Sequence, residues 1–90
     1  MAHYVYILQS EKDQSYYKGY TTDFVRRLGL HNNGESEYTS HKIPWKLVHA
    51  EELPTKRVAL IREKNLKKAT RERIEAIILS NKNLLNYPVD

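Results

Sequence analysis

The stretch from Tyr17 to His31 constrains this chain more than any other: Tyr-Lys-Gly-Tyr-Thr-Thr-Asp-Phe-Val-Arg-Arg-Leu-Gly-Leu-His. It reads as the end of a strand, a sharp glycine turn and a capped helix. Thr22 is the expected N-cap, because its hydroxyl can accept a bond from a free N–H of the first turn. Asp23 then adds negative charge at the positive end of the helix dipole. Residues four apart stack on one helix face, so Arg27 and His31 point the same way, with Tyr17 just upstream. Phe24 and Leu28 form a second stripe, expected to bury the opposite side.

The residues before this stretch supply its partner. Residues 4–9, Tyr-Val-Tyr-Ile-Leu-Gln, alternate with period two and read as a strand. Val5 and Ile7 face one side, and Tyr4, Tyr6 and Leu8 the other. A polar turn at Ser10 to Gln14 leads to a second strand, Ser15 to Tyr20, making an antiparallel hairpin. The following helix is expected to end near Gly34, with Asn32 and Asn33 as its C-terminal residues. Glu35 to Pro44 is aperiodic and reads as a loop carrying Tyr38, Thr39, His41 and Lys42. Trp45 to Glu51 is the third strand, with Trp45 expected in the core. Thr55 caps a helix to about Lys68, with Val58, Ile61 and Leu66 beside Ala59 as its apolar stripe. Glu63 falls at the border of that stripe. Thr70 caps a third helix that packs Ile74, Ile77, Ile78 and Leu84 inward. The expected fold is α/β (α+β), in the order β-β-α-β-α-α, with helices packed around a small three-stranded sheet. The 90 residues make one domain, ordered over about 3–82 with residues 83–90 a loosely held tail.

Composition narrows the chemistry. No apolar run approaches the ~18–20 residues that a membrane span needs. The start, Met1-Ala2-His3-Tyr4, lacks a basic region followed by an apolar stretch, so a cytoplasmic location is expected. With no cysteine there is no thiol nucleophile and no thiolate metal site. The net charge is +4, but its distribution says more than its size. Lys56, Arg57, Arg62, Lys64, Lys67, Lys68, Arg71 and Arg73 crowd residues 55–75 against Glu63, Glu72 and Glu75. On helices this gives positive faces, the footprint of a polyanion site or, alternatively, an ordinary solvated surface. His3, His41 and His49 are scattered, with no metal-ligand spacing.

Taken together, Tyr4-Val5-Tyr6-Ile7-Leu8, Tyr17-Lys18-Gly19, Arg27, His31, Tyr38-Thr39 and Glu63 within Leu60-Ile61-Arg62-Glu63-Lys64 resemble the GIY-YIG nuclease superfamily. The likeness is to its small stand-alone branch and covers roughly residues 3–82. It implies that Tyr6 and Tyr17 are the signature tyrosines and that Gly19 closes the second motif. Arg27 becomes the catalytic arginine, His31 its polar neighbour, and Glu63 the carboxylate for one divalent metal, Mg²⁺ or Mn²⁺. The implied reaction is hydrolysis of a nucleic-acid phosphodiester, with DNA the expected substrate. The implied geometry gathers both phenols, Arg27 and Glu63 in one open, positive hollow.

Physical chemistry fits those roles. Arginine's planar fork suits a phosphate. A tyrosine near pKa ~10 is a poor base unless cations lower it, as Arg27 and a metal are expected to do. Lys18, Arg26, Lys42, Lys64, Lys67, Lys68 and Arg71 are the expected nucleic-acid contacts, with Lys18 read as either surface or phosphate contact. The sequence departs from the family pattern at Tyr4, where glycine is usual, and at Lys18, where an apolar residue is usual. Asn81, Asn83 and Asn86 are equal candidates for an asparagine near the site. A monomer is expected, with a protein partner supplying specificity. The rival reading is a module of the same fold that binds nucleic acid without cutting it. A protein-interaction module with a relic site is the third.

Overall fold

The alternation in the first strand splits the molecule into two layers. In the computed structural model, which describes residues 2–86, β1 (His3–Ser10) is the central strand of a three-stranded antiparallel sheet. It lies between β2 (Tyr16–Thr21) and β3 (Trp45–Leu53). Val5 and Ile7 enter one cluster, with Ala59, Leu66, Ile74 and Ile77 of α2 (Lys56–Lys68) and α3 (Arg71–Ile78). Tyr6 and Leu8 enter the other, with Trp45, Tyr17 and the Phe24 and Leu28 side chains of α1 (Phe24–Asn32). The sheet is thus sandwiched, α1 on one face and α2 with α3 on the other. The order β-β-α-β-α-α is as the sequence implies.

Local signals place most boundaries. Thr55 accepts from the Val58 N–H and Thr70 from the Arg73 N–H, the caps expected for α2 and α3. The cap of α1 differs. Asp23, not Thr22, accepts from the Arg26 N–H, and Thr21 Oγ1 accepts from the Asp23 N–H at 3.0 Å. Phe24 and Leu28 do not face away from Arg27 and His31 either. The two stripes are neighbours on the helix, and both turn toward the sheet.

Asn32 has a different use from capping. Its amide nitrogen donates to the Trp45 carbonyl at 2.9 Å while its oxygen accepts from the Trp45 N–H at 2.6 Å. The pair fixes the end of α1 to the start of β3. Gly34 follows at φ +74°, a left-handed conformation that suits glycine.

Two further expectations are corrected. Leu84, expected to pack inward, is 37% exposed. Residue 83 does not begin a loose tail: buried Asn83 accepts from the Ala50 N–H and donates to the Val48 and Ile78 carbonyls. These bonds seal part of the free edge of β3 and give Asn83 a structural role. Asn81 is exposed, and residues 87–90 of the expected tail lie outside the described residues.

Residues 49 and 51 carry a polar core that the periodicity hid. The β1–β3 register shifts between Ile7 and Leu8, leaving Val48 as the extra residue of a bulge. His49 and Glu51 then sit opposite Ile7 and Val5, on the face that α2 covers. The His49 imidazole meets Glu51 at 2.7 Å, and Arg62 donates to the same carboxylate at 2.9 Å. A His and a Glu two apart, and so on one face of the strand, were the available signal.

Despite burial, which alone would raise it, the Glu51 carboxyl is held down to about 2 by the His49 and Arg62 bonds. A depressed carboxyl stabilises the fold above its unfolded value of 4.5 and loses that stabilisation as pH falls toward about 2. Glu51→Gln should therefore lower stability at pH 7 by about 3 kcal/mol. It should also flatten the dependence of the urea midpoint on pH between 4.5 and 2.

Candidate active site

Register builds the site. Tyr6 pairs with Gly19 across β1 and β2, and the Tyr6 ring lies directly over the glycine. A Cβ added at Gly19 would come within 2.5 Å of the Tyr6 hydroxyl and 2.6 Å of its ring. The glycine of the second motif is therefore needed for space. Tyr6 is fully buried by this arrangement.

The Tyr6 hydroxyl then meets the far end of α1. It lies 3.0 Å from His31 Nε2, and His31 Nδ1 lies 2.8 Å from Thr39 Oγ1. Thr39 donates to the Ser36 carbonyl at 3.4 Å and its own carbonyl accepts from the Trp45 indole at 2.9 Å. These partners assign the protons: His31 Nδ1–H donates to Thr39, and Nε2 accepts from the Tyr6 O–H. Thr39 was visible in the sequence as loop polarity and as part of the Tyr38-Thr39 likeness to the family, with no role attached. Its role as the anchor of His31 depends on a fold-back of the loop that no local pattern encodes.

Arg27, one turn before His31, brings its guanidinium close enough to the Tyr6 and Tyr17 phenols for its charge to act on both. Arg27 by itself does not lower Tyr6 below its ordinary value. Burial dominates and pushes the phenol up to about 12, with Arg27 opposing it only in part. His31 moves down, first through burial and then through the Arg27 cation, so its neutral form prevails at pH 7. The cluster is thus a protonated buried phenol, a neutral imidazole and a charged guanidinium.

Tyr17 is the cluster's way out. Its ring is 4.7 Å from His31 and 6.2 Å from Tyr6, with Trp45 at 6.3 Å and exposed Tyr38 at 6.1 Å. It lines an open hollow of about 400 Å³ together with Tyr16, Lys18, Tyr38 and Lys67. This hollow wraps the free edge of β2. Tyr17 comes from the α1 face, Tyr16 and Lys18 from the other. Lys18 is therefore a hollow-lining cation, its ammonium pKa lowered by partial burial.

Glu63 approaches from the opposite face. Its helix, α2, packs against the side of the sheet away from Tyr6 and Tyr17. Among the described residues no hydrogen bond or ion pair joins Glu63 to Arg27 or either tyrosine. The four groups expected in one hollow divide: Tyr6, Tyr17 and Arg27 form a cluster with His31, and Glu63 stands round the edge. It is linked to the hollow by its pair with Lys67 at 3.6 Å. The border position read from the helix period holds, with the side chain 20% exposed.

The other expected contacts scatter. Lys42 is paired with Asp13 at 3.3 Å and braces the hairpin loop. Arg71 lies over the Tyr16 ring at 4.7 Å, pairs with Glu75 and donates to the Gln14 carbonyl. Lys64 lines a separate groove on α2. Arg26 and Lys68 are exposed. Of the seven, only Lys18 and Lys67 line the hollow.

A paired-tyrosine hairpin, a glycine under the first ring and an arginine–histidine helix over the sheet define a GIY-YIG catalytic domain. The profile of that domain matches residues 2–75. The solution NMR structure of the UPF0213 protein BH0048 from Bacillus halodurans is similar, with a TM-score of 0.59 and 36% identity. The match covers 94% of this chain and 90% of that one. A UPF0213 protein of Streptococcus pneumoniae is 41% identical over 87 residues, 93% of this chain and 87% of its own length. The UPF0213 protein YazA of Bacillus subtilis is 39% identical over 82 residues, 90% of this chain and 82% of its own. The chain belongs to the GIY-YIG nuclease family, in its branch of small single-domain proteins. Among the described residues no helix is long and apolar enough to cross a membrane.

Gly19→Ala should displace Tyr6 and break its bond to His31. The expected cost is about 1–3 kcal/mol in thermal or urea unfolding. The shifts of the His31 ring resonances by NMR should move more than those of α3.

Proposed function

We propose that this protein is a metal-dependent endonuclease that hydrolyses phosphodiester bonds, with DNA as substrate. The observation that carries the reading is the connected Tyr6–His31–Arg27–Tyr17 cluster opening onto a hollow lined by Lys18 and Lys67. A guanidinium beside two phenols at the mouth of this hollow offers a planar fork that matches a phosphate.

The side chains divide the work by exposure. Arg27 binds and neutralises the scissile phosphate. Tyr17, the phenol that lines the hollow, orients the attacking water. Tyr6 is sealed and protonated, so it acts by holding His31 and Arg27 in place. His31, kept neutral, accepts the Tyr6 hydrogen bond at Nε2. Lys18 and Lys67 draw the flanking backbone toward the β2 edge.

The metal reading passes a chemical test. Among the described residues no three His, Cys, Asp or Glu side chains gather as a ligand set. One carboxylate, Glu63, suits an ion that keeps several waters and takes its remaining oxygens from substrate, as Mg²⁺ and Mn²⁺ do. Such an ion supplies Lewis-acid stabilisation of the leaving oxygen. Lys67 must release Glu63 for it to bind. That ion pair is also what favours the rival reading, a module that binds nucleic acid without cutting it.

Incubation of supercoiled and branched DNA, and of RNA, with and without Mn²⁺ tests the proposal. Cleavage should require the metal, and Arg27→Ala or Glu63→Ala should each reduce it at least about 100-fold while circular dichroism is unchanged. Binding with no cleavage by the wild type would support the rival. The pH dependence has a definite sign. Protonated His31 has no lone pair at Nε2 to accept from Tyr6, so the rate should fall on acidification. The fall should lie below the ordinary imidazole value of 6.5, because the His31 pKa is lowered. No loss from Tyr6 ionisation should appear up to pH 10, its phenol being held near 12.

A further inference from the structure

The helix that carries Glu63 has a second apolar stripe, and it faces solvent. Val58 and Ile61, expected in the core, are 41% and 53% exposed, and Leu60 is 41% exposed. The sheet takes Ala59 and Leu66 instead, with Arg62 and Glu63 beside them. On the outer side, Lys56, Arg57, Leu60, Ile61 and Lys64 line a shallow, open groove between side-chain ridges of α2.

The groove has a pattern. Lys56, Leu60 and Lys64 form one ridge of residues four apart, and Arg57 and Ile61 form the next. Between such ridges a second helix packs most readily. The middle of the groove is apolar and both ends are cationic, about 12 Å apart along the axis at 1.5 Å per residue. Lys42, Arg62, Lys67 and Arg71 all have carboxylate partners. Among the described residues Lys56, Arg57 and Lys64 have none within ion-pair distance. Unpaired cations at each end of exposed Leu60 and Ile61 are complementary to an anionic, apolar-centred partner.

We infer that the outer face of α2 is a docking site for an acidic amphipathic helix of a partner protein. The segment it fits carries apolar residues at its centre and carboxylates about two turns apart. A second copy of α2 is a poor occupant, because an antiparallel pair sets Lys64 of each against Lys56 and Arg57 of the other. Nucleic acid would engage the cations but leave Leu60 and Ile61 without a partner. The site is separate from the tyrosine hollow, so it does not rest on the nuclease reading.

The test uses the full chain and two labelled helical peptides. One has leucines at the centre flanked by glutamates two turns apart, and its twin has lysines in place of the glutamates. Fluorescence anisotropy should show the acidic peptide binding at least about tenfold more tightly, a difference of 1.4 kcal/mol. Its amide shift changes should be confined to residues 56–68. Leu60→Ser with Ile61→Ser should remove about tenfold or more of that affinity without changing thermal stability, since both side chains are exposed. Equal affinity for the two peptides, shifts mapped elsewhere, or unchanged binding by the double variant would overturn the inference. So would a double variant that keeps the peptide but loses affinity for DNA or for vesicles of anionic phospholipid.

Discussion

The Tyr6 ring packed over the bare backbone of Gly19 is the contact on which the rest depends. It lays a large aromatic ring over the paired strand, where any side chain at position 19 would collide with it. It also aims the hydroxyl at α1, where His31 and Arg27 converge. Leu8, Trp45, Phe24 and Leu28 then close around it. Removing the space under that ring would shift the imidazole, the guanidinium and the second phenol together, because each is positioned through Tyr6 or against it.

Burial changes what that cluster can do. A tyrosine beside an arginine is expected to ionise more easily, but that holds only where the phenol keeps enough contact with water or charge to offset desolvation. Tyr6 has no exposure, and desolvation outweighs Arg27. The same burial, with the same cation, keeps His31 neutral. The opposed shifts make the hydrogen bond directional, from phenol to imidazole, and leave half-buried Tyr17 as the phenol that meets solvent. The chemistry proposed for the hollow follows from this asymmetry between two residues that look alike in the sequence.

The sandwich also separates tasks between the two faces of one sheet. The α1 face holds the aromatic cluster. The α2 face holds an apolar core with His49, Glu51 and Arg62 inside it, a polar network that fixes α2 at a set depth. The hollow sits where the faces meet, at the free edge of β2, so residues of both layers reach it. Lys67 arrives there from α2, and Glu63 is tied to the hollow through Lys67. The opposite edge, on β3, is partly closed by Asn83.

Short-range regularities determined much of this protein directly from its sequence. Period two in residues 4–9 set which strand residues face which layer. Thr55 and Thr70 began their helices, whereas the glycine read as a sharp turn lies within β2, where the Tyr6 ring leaves no room for a side chain. Arg27 and His31 shared a face because four residues make about one helical turn. The family was legible for the same reason: its signature is a series of local motifs at fixed spacings.

Tertiary structure decided the rest. α2 has two apolar stripes, and its own periodicity cannot choose between them; the sheet did, by accepting small Ala59 at the close approach and leaving Leu60 and Ile61 outside. Asn32 and Asn83 found partners far along the chain at Trp45, Val48 and Ala50, so their roles were invisible beside their neighbours. The Tyr6 pKa and the place of Glu63 depend on what surrounds a residue in three dimensions. Desolvation and packing are set by the opposing layer, and sequence spacing carries no record of which layer that will be.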